Sequence, residues 1–78
     1  SMSDLLSEME SIVYQGTKLN INYYIEDNFD EDIVDAFMEF MNESESDSMK
    51  VLLDEFGDEL SDDEVRMLRI KFISDVAN

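Results

Sequence analysis

The clearest helical pattern in the chain covers Ser61 to Val76, where apolar residues recur at helical spacing. Ser61 and Glu64 have the spacing of a capping box, in which each side chain satisfies a free backbone N–H at a helix start. One apolar stripe comprises Val65, Leu68, Phe72, Ile73 and Val76. Met67 and Ile70 lie outside the stripe, so most of the circumference is apolar. Such a helix is normally packed on more than one side, and we expect the other helices to surround it.

Few polar side chains interrupt this last helix. Lys71, Ser74 and Asp75 are the residues expected to face solvent. Arg69 projects from the middle of the apolar stripe, where a guanidinium must pair with a carboxylate or keep its head at the edge. A structural ion pair is the favoured interpretation of Arg69, because the chain has 21 acidic residues. Contact with a phosphate is the alternative.

Apolar periodicity predicts four further helices upstream. They are Asp4 to Tyr14, Tyr23 to Phe29, a third that begins at Asp30 and precedes a loop over Asn42 to Ser48, and a fourth from Met49 that Gly57 ends. The third helix has only Asp35 and Glu39 plainly outward, so we expect it to be nearly as buried as the last.

The first helix is predicted to have two distinct faces. Its apolar face carries Leu5, Leu6, Met9, Ile12 and Val13, and its polar face carries Ser7, Glu8, Glu10 and Ser11. Gly16 is a plausible left-handed cap after it. Alternation of Leu19 and Ile21 then predicts a short extended segment near 17–22, after which Asn20 or Asn22 is expected to cap the second helix.

These elements predict an all-α fold, a small bundle of about five helices packed round the C-terminal helix. A chain of 78 residues fits one small domain, which we place at residues 4–78. Residues 1–3 are expected to be a cloning remnant or a disordered start, and the whole to be a fragment of a larger protein.

The formal net charge of −16 changes the functional picture. Nonspecific affinity for DNA or RNA comes mostly from neutralising phosphates, and anionic membranes also attract basic segments. The charge therefore disfavours both ligands and favours basic protein surfaces or mimicry of nucleic acid. No signal peptide or membrane span is visible, so we expect an intracellular chain.

The residues that most enzymes use are missing from the sequence. Cysteine and histidine are absent, and no glycine-rich phosphate loop is present. The acidic runs 27–32 and 58–64 lack the ligand spacing of a calcium loop. Asp35 and Glu39 have the spacing of a bridging carboxylate pair, but without a third ligand we interpret them as a solvated face. We predict no catalytic residue, cofactor site or metal site in this chain.

Two stretches carry a resemblance to a known family. Residues 14–25, Tyr-Gln-Gly-Thr-Lys-Leu-Asn-Ile-Asn-Tyr-Tyr-Ile, and residues 63–78, which begin Asp-Glu-Val-Arg-Met-Leu-Arg, resemble the extreme C-terminus of RecQ-type ATP-dependent DNA helicases of the Bacteroidetes kind. The run Glu-Ser-Glu-Ser-Asp-Ser at 43–48 and Leu-Asp-Glu-Phe-Gly at 53–57 are similar to the same tail. The resemblance covers nearly the whole chain.

The resemblance implies a specific setting for this domain. The parent would be a 3′-to-5′ DNA-unwinding motor of DNA repair and recombination, in the bacterial cytoplasm at the nucleoid, binding ATP and magnesium in lobes upstream. Tails of this kind carry a helix-turn-helix-like region, of which Asp4 to Tyr14 would be the last helix and Gly16 to Ile21 a remnant wing. The implied partner is the rest of the helicase polypeptide, with DNA bound through the parent.

Three functional hypotheses remain open at this stage. The first is a non-catalytic accessory domain of a helicase that acts by protein contact or by positioning the motor. The second is DNA contact through Lys18 and Arg66, with Arg69 as a further candidate. The third is a freestanding acidic interaction protein or DNA mimic. The oligomeric state is open too, because the last helix can bury its second side against a copy of the domain or against the third helix.

Overall fold

A computed structural model describes residues 1–76 of the chain, and residues 77–78 of the predicted domain lie outside the described residues. The described chain forms five α-helices: α1 (Met2–Tyr14), α2 (Asn22–Asn28), α3 (Glu31–Glu43), α4 (Met49–Phe56) and α5 (Asp62–Val76). These residues contain no strand. The predicted all-α fold of about five helices is therefore confirmed.

The last helix lies at the centre of the bundle, as predicted. α5 packs against α1, α3 and α4, and its Val65, Leu68 and Ile70 are fully buried. Each of the neighbouring helices contributes an apolar side chain to the same core, including Leu6, Val13, Phe37, Leu52 and Phe56. The Phe56 ring meets Phe37 at 5.0 Å and Phe40 at 5.5 Å between centroids. Aromatic contact thus joins α3 to α4.

Several local signals are found where the sequence placed them. Ser61 Oγ accepts a hydrogen bond from Glu64 N at 3.2 Å, and Glu64 Oε1 accepts one from Ser61 N at 2.8 Å. This reciprocal pair is the predicted capping box. Gly16 has a φ of +90°, in the left-handed region that glycine tolerates best.

Other local predictions were wrong. α1 begins at Met2 rather than Asp4, because the Ser1 side chain caps it by accepting from Asp4 N. Neither predicted asparagine caps α2, whose N-cap is Ile21 with no side-chain hydrogen bond. α3 is less buried than expected, since only Phe37 and Met41 of its residues are buried. Its neighbours cover one face, and the other faces solvent.

The outward face of α5 also differs from the prediction. Ser74 was expected in solvent but is completely buried, whereas Val76 of the predicted stripe is 60 % exposed. The reason is the segment at 17–21, which crosses this end of α5 and covers Ser74. Leu19 N donates to Ser74 Oγ at 2.7 Å, and Ser74 Oγ donates to Leu19 O at 3.1 Å. The segment is held without forming a strand.

Candidate functional site

The contact between α1 and α5 is built round a carboxylate, Glu10. Arg66 Nη2 lies 2.6 Å from Glu10 Oε1, and the two side chains are only 18 % and 19 % exposed. Arg66 also donates to Ser3 Oγ and Ser7 Oγ, each at 3.2 Å. The hydrogen bond with Glu10 raises the pKa of the Arg66 guanidinium. Arg66 therefore stays charged and fixes one face of α1 against α5.

Arg69 extends the same charged cluster towards the loop before α4. Its Nη1 lies 3.5 Å from Glu10 Oε2, and its Nη2 lies 3.7 Å from Asp47 Oδ2. Its Nε donates to the Asp47 backbone carbonyl at 2.8 Å, and the guanidinium lies 5.6 Å from the centre of the Tyr14 ring. Arg69 thus connects α1, α5 and the loop.

The three lysines are arranged differently. Lys71 Nζ lies 2.8 Å from Asp75 Oδ2 and donates to Asn22 Oδ1 at 2.9 Å. Lys18 and Lys50 are exposed, and neither makes an ion pair with any residue in the described range 1–76. Of the candidate nucleic-acid contacts, Arg66 is therefore engaged internally and Lys18 is accessible. The structure does not bring them together into a basic groove.

The acidic side chains lie mostly in solvent. Asp35 and Glu39 are both exposed on α3, and residues 1–76 contain no group of three acidic side chains arranged to hold a metal ion. A cleft of about 540 Å³ between α2 and α3 is lined by three carboxylates and one cation beside apolar side chains: Glu26, Glu31, Asp35, Lys71, Ile25 and Val34. This combination suits contact with a basic, partly apolar surface.

The most unusual surface is apolar and lies near the start of the chain. Among the described residues, seven large hydrophobic side chains are exposed: Met2, Leu5, Ile12, Tyr14, Tyr23, Tyr24 and Val76. Six of these seven belong to α1 or to the first turn of α2. The sequence places Leu5 and Ile12 on the apolar face of the first helix, and the structure leaves them 49 % and 37 % exposed. Only Leu6 and Val13 of that face are buried.

Part of this surface forms a groove between α1 and α2. We call it the apolar groove; its lining is Met2, Leu5, Met9, Asn20, Ile21, Tyr23, Tyr24 and Met67. Its volume is about 240 Å³, below the range of about 300–1,000 Å³ typical of small-molecule pockets. Its chemistry and openness suit the side chains of another protein segment.

The sequence did not reveal the contacts that Glu10 and Ser74 make in the fold. Glu10 was predicted on the polar face of the first helix, and Ser74 was predicted to face solvent on the last. Both take part in contacts between residues more than 50 positions apart, which periodicity within one helix cannot reveal. The signal available was the concentration of cations on the last helix, which carries three of the five in the chain, two of them at or beside its apolar stripe.

No helix in the described residues is long and apolar enough to cross a membrane. Comparison with curated proteins gave no match. In a comparison with protein families, residues 1–25 match the RecQ-1-like helix-turn-helix domain. The matched part comprises α1, the segment that crosses Ser74 and the first turn of α2. The N-terminal third of this chain is therefore similar to a RecQ-type helix-turn-helix region.

Proposed function

We propose that this chain is a non-catalytic C-terminal accessory domain of a RecQ-type ATP-dependent 3′-to-5′ DNA helicase, acting by protein contact on the motor. The observation that carries the proposal is the match of residues 1–25 to the RecQ-1-like helix-turn-helix domain. The wider resemblance of residues 14–25 and 63–78 to Bacteroidetes RecQ tails supports it. In this proposal ATP and magnesium belong to the motor lobes, and the protein works at the bacterial nucleoid.

The charges of the domain suggest how it acts. Three of its five cations, Arg66, Arg69 and Lys71, form ion pairs with acidic side chains of the described residues. Lys71 lines the cleft beside Asp35 but is itself paired with Asp75, so Asp35 and Glu39 of α3 have no ion pair within residues 1–76. A basic surface is the complementary partner, and the DNA-binding face of a helicase is basic because it neutralises phosphates. The domain would occupy that face and restrain unwinding until DNA displaces it.

Unwinding rates of the full-length helicase, with and without this domain, test the mechanism. At about 50 mM salt we expect the deleted enzyme to unwind faster, and at about 300 mM salt we expect the difference to shrink, because salt screens charge contacts between surfaces. The double variant D35N/E39Q is expected to reproduce part of the deletion. Equal rates for all enzymes at both salt concentrations exclude the mechanism.

A second candidate function is direct DNA contact, which the exposed and unpaired Lys18 favours because it lies within the matched residues 1–25. Titration of a labelled duplex and a single strand at about 50 mM salt, where phosphate contacts are strongest, tests it. Binding that weakens with Lys18→Ala but not with Lys50→Ala supports this candidate. If the chain binds neither the duplex nor the single strand, direct DNA contact is excluded.

The gene itself distinguishes these functions from a freestanding acidic protein or DNA mimic. A reading frame that continues upstream of Met2 into helicase motifs supports the accessory domain. A reading frame that begins at Met2 excludes it.

A further inference from the structure

Three adjoining clefts cross the surface from α2, past the start of α3, to the turn between α4 and α5. Their volumes are about 540, 500 and 430 Å³. Glu26 and Phe29 line both the first and the second cleft, and Asp30, Ile33 and Glu59 line both the second and the third. We call the three clefts together the acidic trough. Because neighbouring clefts share their walls, one ligand can occupy the whole trough.

The walls of the acidic trough carry negative charge that this chain leaves uncompensated. At least three carboxylates line each cleft, and none of them forms an ion pair within residues 1–76. Among the described residues, Lys71 is the one cation in the lining. It lies at the α2 end of the trough and is paired with Asp75. A ligand of the trough therefore has to supply positive charge of its own.

The floor of the acidic trough is apolar. Phe29, Ile33 and Val34 line it and are half-buried, and Ala36 is exposed in the third cleft. Covering apolar surface is favourable by about 25 cal/mol per Å², a gain that carbon side chains obtain and a hydrated metal ion does not. The trough therefore offers two attractions, and a ligand that carries both cations and apolar groups uses both.

Successive clefts suit successive side chains of a polypeptide. An extended chain advances about 3.3 Å per residue, so a segment of about eight residues spans the 28 Å length of the domain. Alternate side chains of such a segment point to opposite sides. Apolar side chains can thus face the floor, while the long stems of lysine or arginine reach back to the walls.

A second copy of this chain does not have the composition of that ligand. Of its five cations, Arg66, Arg69 and Lys71 are ion-paired within residues 1–76. The other two, Lys18 and Lys50, lie on different elements. Nucleic acid is disfavoured as well, because its phosphates would meet the carboxylates of the walls. Charge complementarity therefore selects a basic protein segment from outside this chain.

We propose that the acidic trough is the docking surface for an extended protein segment in which lysine or arginine alternates with apolar residues. The cations of the segment pair with Glu26, Asp30 and Glu59, and its apolar side chains cover Phe29 and Ile33. Opposite charges speed the encounter, and burial of the floor holds the segment in place. The inference goes beyond the proposed function, because it depends only on the described residues and holds for any parent protein.

Binding of synthetic peptides to this chain, followed by fluorescence anisotropy, tests the proposal. The probe is a labelled peptide of about eight residues that alternates lysine with leucine, and its control has serine in place of every leucine. At about 20 mM salt, where charge contacts are screened least, we expect both peptides to bind and the leucine peptide to bind about tenfold more tightly. Absence of binding by the leucine peptide overturns the proposal. Equal affinities of the two peptides overturn it too, because the floor then contributes nothing.

Variants of the walls locate the binding. E26Q/E59Q removes two exposed carboxylates that neighbouring clefts share, and E43Q/E45Q removes two exposed carboxylates outside the trough with the same change in net charge. We expect E26Q/E59Q to weaken binding of the leucine peptide about fivefold or more and E43Q/E45Q to weaken it less than about twofold. Equal losses in the two variants show that the net charge attracts the peptide, and they overturn the proposal.

Competition with spermidine separates a protein segment from a small polycation. Spermidine has the positive charge of the peptides but no apolar side chain. We expect it to displace the serine peptide at a concentration about tenfold lower than it needs for the leucine peptide. Displacement of both peptides at the same concentration shows a site for small polycations and overturns the proposal.

Failure of the proposed function is separable from failure of this docking, because the peptide experiments need only this chain. A chain that binds the leucine peptide in the trough, but whose deletion leaves the unwinding rate of the parent unchanged, retains the docking surface and loses the proposed mechanism. A parent helicase that responds to the deletion, with a chain that binds no peptide, retains the function and loses the docking surface.

Discussion

Ser74 of α5 and the backbone of Leu19 exchange two hydrogen bonds, so that one hydroxyl satisfies both an N–H and a carbonyl. The hydroxyl accepts at 2.7 Å and donates at 3.1 Å. Ser74 is completely buried, and buried backbone groups without partners are costly. One serine thereby fixes a segment that lies 55 residues away in sequence.

Replacing this serine tests its importance for the fold. Ser74→Ala is expected to destabilise the chain by about 1–3 kcal/mol, because the N–H and carbonyl of Leu19 lose their partner in a partly buried place. Urea denaturation followed by circular dichroism measures the change. Ser11→Ala removes an exposed hydroxyl whose contact with Gln15 is 3.4 Å long, and it is expected to cost less than about 0.5 kcal/mol. If Ser74→Ala and Ser11→Ala lower the stability equally, the hydrogen bonds between Ser74 and Leu19 do not stabilise the fold.

Glu10 is expected to be the most sensitive carboxylate of α1. Glu10→Gln leaves Arg66 and Arg69 side by side without their shared counter-charge, and we expect a loss of about 1–3 kcal/mol. Glu8→Gln, at an exposed position of the same helix, is the matched control and is expected to change stability by less than about 0.5 kcal/mol. Chemical denaturation at neutral pH measures both. If Glu10→Gln is as stable as Glu8→Gln, the ion pairs of Glu10 with Arg66 and Arg69 do not stabilise the chain.

The pH dependence of the Glu10→Gln effect follows from Arg66. The pKa of this guanidinium is raised in the folded state, so its contribution to stability is complete below its ordinary pKa. That contribution is lost only as pH rises through the raised value, in strongly alkaline solution. We therefore expect the difference between wild type and Glu10→Gln to be constant from about pH 7 to about pH 10. If the stability difference between wild type and Glu10→Gln decreases over this pH range, the partner of Glu10 is not an arginine.

Gly57 is expected to resist replacement although its backbone is helical, with a φ of −64°. A Cβ on this residue would lie closer to the Leu53 carbonyl oxygen than van der Waals contact allows. The same oxygen accepts a hydrogen bond from the Gly57 N–H at 2.8 Å. Gly57→Ala is therefore expected to cost about 1–3 kcal/mol by overpacking. Asp54→Ala, at an exposed position of α4, is the control, with a change below about 0.5 kcal/mol. A thermal midpoint of Gly57→Ala at or above wild type contradicts this prediction.

Salt is expected to stabilise the isolated chain. A net charge of −16 on a molecule with a radius of gyration of 11.7 Å crowds like charges together, and self-repulsion destabilises a compact state. Raising NaCl from about 20 mM to about 500 mM screens that repulsion and is expected to raise the melting temperature by about 4–8 °C, equivalent to about 1 kcal/mol. Matched KCl should give the same curve. A melting temperature that falls with salt shows that the ion pairs outweigh the repulsion.

Local rules predicted the helices well because their signals lie within a few residues. The capping box of Ser61 and Glu64 and the left-handed Gly16 were found as expected. Ser74 and Glu10 were misplaced because their surroundings are set by residues at the other end of the chain. Leu5 and Ile12 lie on the predicted apolar face of α1 but are exposed, because the sequence shows that a helix face is apolar without showing how much of it the other helices cover.

The contacts between α1 and α5 join residues far apart in sequence, which has a consequence for biosynthesis. A helix of 13 residues such as α1 has only marginal stability by itself in water. The helix that packs against α1, pairs with Glu10 and anchors the segment after Gly16 is α5, which is synthesised after the other four described helices. Nascent α1 therefore lacks the helix that it packs against, and keeps its apolar face exposed, until translation has passed α5.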